Sequence, residues 1–342
     1  GVESFGDAFA IRDCRFIRTV VQRAPTLNAE MVASQAIVIR SAGSEQFSPR
    51  VTIVRVSVTD SRGGIAAVFL DWMWNTINLH GQIVVQDLIC ARNSLAFGGL
   101  SSTSFFFTRT VAPLVVRHMN DPRRSPGCRY RIARCHFTDH FIDISQPTIT
   151  PQYLIASFGI VAAWLARLDS PARPLGASTL EIADCSFRGG RSVPGAGATL
   201  AGGIAVVFDS EAPIRFNTST MIRDCSFANN SVTYWTEPAA AISLRFGNGR
   251  DVSPGHVLRN CSFSQNFALV EISDRQQAAL TTVVELVSVA NVMTWTIDSC
   301  RFVGNAATAT VLVSNQHPYI SVLRMRNTVF LDGVGGALVA SS

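Results

Sequence analysis

One short phrase, Ile/Leu-x-x-Cys-x-Phe-x-x-Asn, keeps returning along this chain. Copies stand at Ile182–Phe187, Ile222–Asn230, Leu258–Asn266 and Ile297–Asn305, with shorter ones at Ile11–Phe16 and Ile132–Phe137. A unit repeated at this spacing marks a stacked repeat protein, in which each unit buries its apolar face only against its neighbours. Three degenerate segments fit the same frame, with Val56, Leu88 and Thr328 at the Cys position and Val58, Cys90 and Phe330 at the Phe position. The frame therefore runs through positions 14, 56, 88, 135, 185, 225, 261, 300 and 328, at intervals of 28 to 50 residues. A constant core with insertions of variable length on one side accounts for such intervals.

Between these copies lies a second phrase, two small residues followed by an apolar run. Examples are Gly63-Gly64-Ile65, Gly202-Gly203-Ile204, Ala240-Ala241-Ile242 and Gly335-Gly336-Ala337. The runs are short and rich in Val, Ile, Phe and Thr, so they read as strands. Only Leu154–Leu168 is ambiguous between helix and strand. Cys and Phe, two apart, share one strand face, and the Ile three residues before Cys requires a bend between them. The Asn three after Phe falls at a turn, where left-handed backbone is tolerated. One coil is then a small-small-apolar strand, an insertion, an Ile strand, a bend, a Cys-x-Phe strand and an Asn turn. Coils about 4.8 Å apart would stack Phe on Phe and Asn on Asn. The expected fold class is all-β, a parallel β-helix of about nine coils. It forms a single domain over 1–342, with degenerate coils in 1–134 and regular ones in 135–342. The chain starts at Gly1 with a coil almost at once and shows no polar cap at either end, as expected of a segment of a longer array.

These phrases resemble right-handed parallel β-helix repeat proteins, particularly the passenger regions of polymorphic membrane proteins. The matching residues are Gly202-Gly203-Ile204, Gly335-Gly336-Ala337, Phe227/Asn230, Phe263/Asn266 and Phe302/Asn305. The chain is also similar, more coarsely, to large repetitive surface proteins of protists. The resemblance implies a right-handed helix and specifies fold better than function.

Composition narrows the function. Hydrophobic residues make up 47% and charged residues 15%, a balance that provides a large buried core. All 29 basic residues are arginine, either codon bias or a basic surface. A net charge of +5 over 342 residues does not suggest a nucleic-acid-binding protein. No apolar run is long enough for a membrane-spanning helix.

Six of the eight cysteines sit in the frame and point inward beside Phe, where they pack as small hydrophobes. Cys128–Cys135 is the one candidate local disulfide. Three sequons, at Asn217, Asn229 and Asn260, are glycosylation candidates, with Asn217 placed in an insertion and Asn260 in a strand. β-Helices host polysaccharide lyases and hydrolases, which need convergent carboxylates. Here Asp13, Asp184, Asp224 and Asp298 recur at nearly one frame position, which points to a turn role. Cys128, Cys135, His136, Asp139 and His140 have metal-ligand chemistry but match no standard zinc spacing. No catalytic, cofactor or metal residue is assigned.

Function is then expected in the loops, such as 108–130, 169–178, 209–220, 247–256 and 315–319. Arg117, Arg123 and Arg124, with Tyr234 and Trp235, form the candidate surface for acidic glycans or a partner. The expectation is a non-catalytic structural or adhesive element, extracellular or at the cell surface. It would pack end to end or laterally with other chains, as in a homopolymer. The alternatives are a carbohydrate-active enzyme and a glycan-binding module on the same scaffold.

Overall fold

The computed structural model describes residues 8–21, 34–42, 50–73, 81–96, 109–120, 128–143, 154–166, 178–192, 198–210, 215–216, 218–234, 239–246, 250–251, 255–270, 282–288, 294–315 and 322–341. Every regular element among them is a strand, Leu154–Ser157 and Ile160–Ala166 included. Two sheets have nine parallel strands each, and a third sheet is longer. The chain is a parallel β-helix of nine coils.

The first sheet holds the Ile strands. Its register links Ile11, Ile53, Val85, Ile132, Ile182, Ile222, Leu258, Ile297 and Met325 in one inward column. Three-residue strands such as Ser186–Arg188 and Ser226–Ala228 make the second sheet. Its register places the Phe-position residues of all nine copies in one column, and we number the coils by the frame residue just before each strand, 1 (Cys14) to 9 (Thr328). The apolar runs form the third sheet, with Val68, Leu114, Ile160, Ile204, Ile242, Val284, Val311 and Leu338 in register. All length variation falls on the third-sheet side, because both other corners have constant length.

Each of those corners turns on one left-handed residue. At the first corner these are Asp13, Arg55, Asp87, Arg134, Asp184, Asp224, Asn260, Ser299 and Asn327, with φ between 48° and 57°. At the second they are Arg18, Asp60, Arg92, Asp139, Gly189, Asn229, Gln265, Gly304 and Asp332. The left-handed position is thus one residue before the repeated Asn, not the Asn itself. Its backbone N–H still donates to the next coil, as from Asp184 to Arg223 O at 3.2 Å, so the ladder runs through the bends. A left-handed non-glycine residue costs roughly 1–2 kcal/mol. That cost is met by the ladder and by the inward packing on both sides of the bend.

Asn230, Asn266 and Asn305 are buried in the tube wall. Asn230 Nδ2 donates to Asn266 Oδ1, and Asn266 Nδ2 to Asn305 Oδ1, each at 3.0 Å. The same amides donate to Phe187 O and Phe227 O, bracing the second-sheet strand of the preceding coil. Above them, Phe137, Phe187, Phe227, Phe263, Phe302 and Phe330 stack with centroids 4.4–5.2 Å apart and planes within 9°. Full burial of one such ring contributes about 1.5–3 kcal/mol, with stacking adding about 0.5–1.5.

Candidate functional site

The repeated side chains are consumed inside the tube, so the site must be built from outward residues. Cys135, Cys185, Cys225, Cys261 and Cys300 form a buried column of free thiols, each donating to the carbonyl two residues earlier. Hydrogen bonds from neighbouring thiols, together with burial, push the Cys135, Cys225 and Cys300 thiols well above the ordinary value. Such thiols are poor nucleophiles.

The expected Cys128–Cys135 disulfide is absent, and both thiols are free. The five-residue strand Arg129–Ala133 lies between them. At about 3.3 Å per residue that separation is more than twice the Cα reach of a disulfide. The same strand divides the cysteine-histidine group. His136 is exposed, its Nδ1 2.8 Å from Ser186 Oγ, while His140 is buried on the inner wall with Nδ1 accepting from Asn93 N. Among the described residues no three His, Cys, Asp or Glu side chains converge as metal ligands. None of the helix-like spans that could cross a membrane occurs among them either.

Arg117 is also placed differently from expectation. It lies in the strand Arg109–Asn120 rather than in a loop, and is 5% exposed. Its Nε and Nη2 donate to Asp71 Oδ1 and Oδ2, both at 2.8 Å, and its guanidinium stands 5.2 Å from the Phe69 ring. Arg40 Nε approaches the same carboxylate at 3.3 Å. The registers Arg40–Asp71 and Asp71–Arg117 make this a cross-coil triad on the outward side of the third sheet. A similar group joins Ser243, Arg245 and buried Glu285. In both groups the guanidinium is engaged by a buried carboxylate, which takes Arg117 out of the expected glycan surface. Arg123, Arg124, Trp235 and Asn217 lie outside the described residues. Tyr234 ends the strand Ser231–Tyr234.

Asn229 is exposed at a left-handed corner, as is Asn260, which is in a bend and not in a strand. Asn260 Nδ2 donates to Asp224 Oδ1 at 2.7 Å, so the amide a glycan would need is already engaged. The first-corner acids behave similarly. Asp13 pairs with Arg55 and Asp87 with Arg134, and at the second corner Asp60 pairs with Arg92. Each of these hydrogen-bonded guanidinium groups holds its carboxyl below the ordinary range.

One open cleft breaks this pattern. Asp139, Arg188, Gly189, Arg191, Ser192, Asn229, Ser231 and Phe267 enclose about 640 Å³ along the second corner of coils 4 to 7. At coil 5 the corner residue is Gly189, with φ 69°, and a Cβ there would run into Asp139 Oδ1. The Asp139 side chain lies over this glycine at one end of the cleft, and Phe267 stands at the other. Sequence reasoning missed this place because its residues come from four coils. The signal was the Arg188-Gly-Gly-Arg191 step, where two glycines replace the corner and Asn positions.

Fold and cleft together define the chain as a parallel β-helical repeat protein with a solvent-facing polar cleft on one corner. Comparison with known proteins finds no match: no family model, no curated protein and no solved structure matches this chain.

Proposed function

We propose that this chain is a non-catalytic β-helical scaffold, a structural or adhesive element of a cell-surface or filament assembly. The observation that supports it is the use of the repeat. The repeated Ile, Cys, Phe and Asn are spent on the inner columns, and three corner carboxylates, Asp13, Asp60 and Asp87, on coil-to-coil ion pairs. The inner columns make a stiff rod, and loops on its third-sheet side present variable surface. The partners of this reading are other protein chains, packed laterally or end to end, and glycans. The resemblance to passenger regions and protist surface proteins belongs here as well, as an analogy of architecture. The reading is tested by electron microscopy of the native particle together with incubation on a panel of polysaccharides. Ordered assemblies or rods without release of reducing ends or unsaturated products are expected. Product formation abolished by substituting a single carboxylate would overturn it in favour of a carbohydrate-active enzyme.

A further inference from the structure

We propose that the cleft between coils 4 and 7 binds an anionic oligosaccharide, with Arg188 and Arg191 holding its acid group and Phe267 stacking on a sugar ring. The inference rests on the adhesive form of the scaffold reading and places its ligand site.

Four observations carry it. Arg188 and Arg191 are both exposed and face the cleft, and neither has an ion-pair partner among the described residues. At the same corner Arg92 is paired with Asp60, as Arg55 and Arg134 are paired at the first corner. Two guanidinium groups three residues apart across one bend can grip a carboxylate or sulfate by fork-like hydrogen bonds.

The register supplies the distance. Arg191 aligns with Ser231, and Ser231 with Phe267, so the ring stands two coils from the arginine, about 10 Å away. Ser231 between them is small and leaves the space of a sugar residue. Phe267 is 42% exposed and lines the cleft. A pyranose presents an apolar C–H face suited to such a ring.

Around the ring and the cations stand polar groups of the kind that hydroxyls need. Asp139 accepts, while Asn229 and Ser231 both donate and accept. Asp139 also bears on ligand choice. Its negative charge disfavours a densely charged polyphosphate and suits a chain that carries one acid group among hydroxyls. The volume lies within the usual range for small-ligand sites. Asn229 is itself a sequon, so the bare cleft is best tested on protein from a host that adds no N-glycans.

The experiment is calorimetric titration of the full chain with four probes: a uronate hexasaccharide, a sulfated hexasaccharide, the carboxyl-reduced neutral form of the first, and hexaglutamate. The uronate or the sulfated probe should bind, and which of them binds tighter identifies the acid group. The neutral form should bind about tenfold more weakly or worse. R188A and R191A should each weaken binding about tenfold, and F267A about fivefold, with unfolding midpoints unchanged. R191K should recover part of the loss, because a point charge replaces a fork. Absence of binding by both acidic probes, unchanged affinity in the arginine variants, or equal affinity for hexaglutamate would each overturn the proposal. None of these outcomes bears on particle shape or product release, so the scaffold reading stands or falls separately.

Discussion

The ring of Phe227 lies directly against the α-carbon of Gly203. A Cβ on Gly203 would stand 2.6 Å from two of the ring carbons. Gly159 meets Phe187 in the same way one coil earlier. The small-residue pair and the Cys-x-Phe phrase, separate in the sequence, are therefore two sides of one contact across the tube. In the next coil the place of Gly203 is taken by Ala241, which pairs in the same register step. A methyl group is thus tolerated where the neighbours allow it. Gly203→Ala should cost about 1–2 kcal/mol and Gly203→Val about 3 kcal/mol or more. Urea unfolding checks both, and equal midpoints for native protein and the valine variant would contradict the contact.

Asn266 serves three coils at once. It accepts from Asn230 and donates to Asn305 and to Phe227 O. Removing its amide leaves buried donors and acceptors unsatisfied on both sides. Asn266→Ala should destabilise by about 2–4 kcal/mol, and Asn266→Leu, similar in volume, should be no better. Amide hydrogen exchange should quicken at Asn230 N first.

Arg134 holds a left-handed φ of 53° at an exposed corner and pairs with Asp87. The ion pair is half-exposed and contributes little, while the backbone conformation carries the larger cost. Arg134→Ala keeps that cost and loses the pair, whereas Arg134→Gly removes it. The glycine variant should therefore be more stable than the alanine variant by about 1 kcal/mol in thermal unfolding.

The Asp71–Arg117 pair is sealed under the outward side of the third sheet. Asp71→Ala should cost about 3–5 kcal/mol, because it removes the carboxylate that pairs with a buried guanidinium. Changing both residues, Asp71→Leu with Arg117→Met, should recover most of that loss. A double-mutant cycle in denaturant measures the recovery, and additive losses would show that the pair is not the unit of stability.

Acid should weaken the tube well before its carboxylates titrate. Burial pushes His118, between Tyr130 and Trp164, down to about 3, and His140 to about 4, from the ordinary 6.5. The unfolded chain takes up these protons near pH 6.5 and the folded chain does not. The stabilisation is complete above that pH and declines as pH falls from 6.5 toward 4 and 3, by about 1.4 kcal/mol per pH unit for each histidine. The paired acids Asp13, Asp60 and Asp87 act later, below their ordinary 3.8. His118→Phe with His140→Asn should flatten the stability curve between pH 6.5 and 4, measured as urea midpoint against pH.

Much of the fold was legible because a solenoid repeats its constraints. The Phe-position residues of all nine copies, degenerate Val58 and Cys90 included, occupy one column of the second sheet, with Val56, Leu88 and Thr328 immediately before their strands. The turn was misplaced by one residue because Asn has a known taste for left-handed backbone, while here its amide is worth more as a buried rung. Arg117 was misread because it follows a Pro in a segment rich in Arg and His. Aligning Ala66-Ala-Val-Phe-Leu-Asp71 with Ala112-Pro-Leu-Val-Val-Arg117, residue for residue, places it on a strand. The cleft showed in the sequence only as the Arg188-Gly-Gly-Arg191 step, because the rest depends on which outward residues of four coils become neighbours.

The thiol column gives this rod a written record of its own opening. Five sulfurs stand at successive heights, and each is shielded by the coil it belongs to. An alkylating reagent can reach one only when that coil lifts away from its neighbours. The order in which Cys135, Cys185, Cys225, Cys261 and Cys300 become tagged, read by mass spectrometry, would chart whether the rod frays from one end, from both, or from the middle.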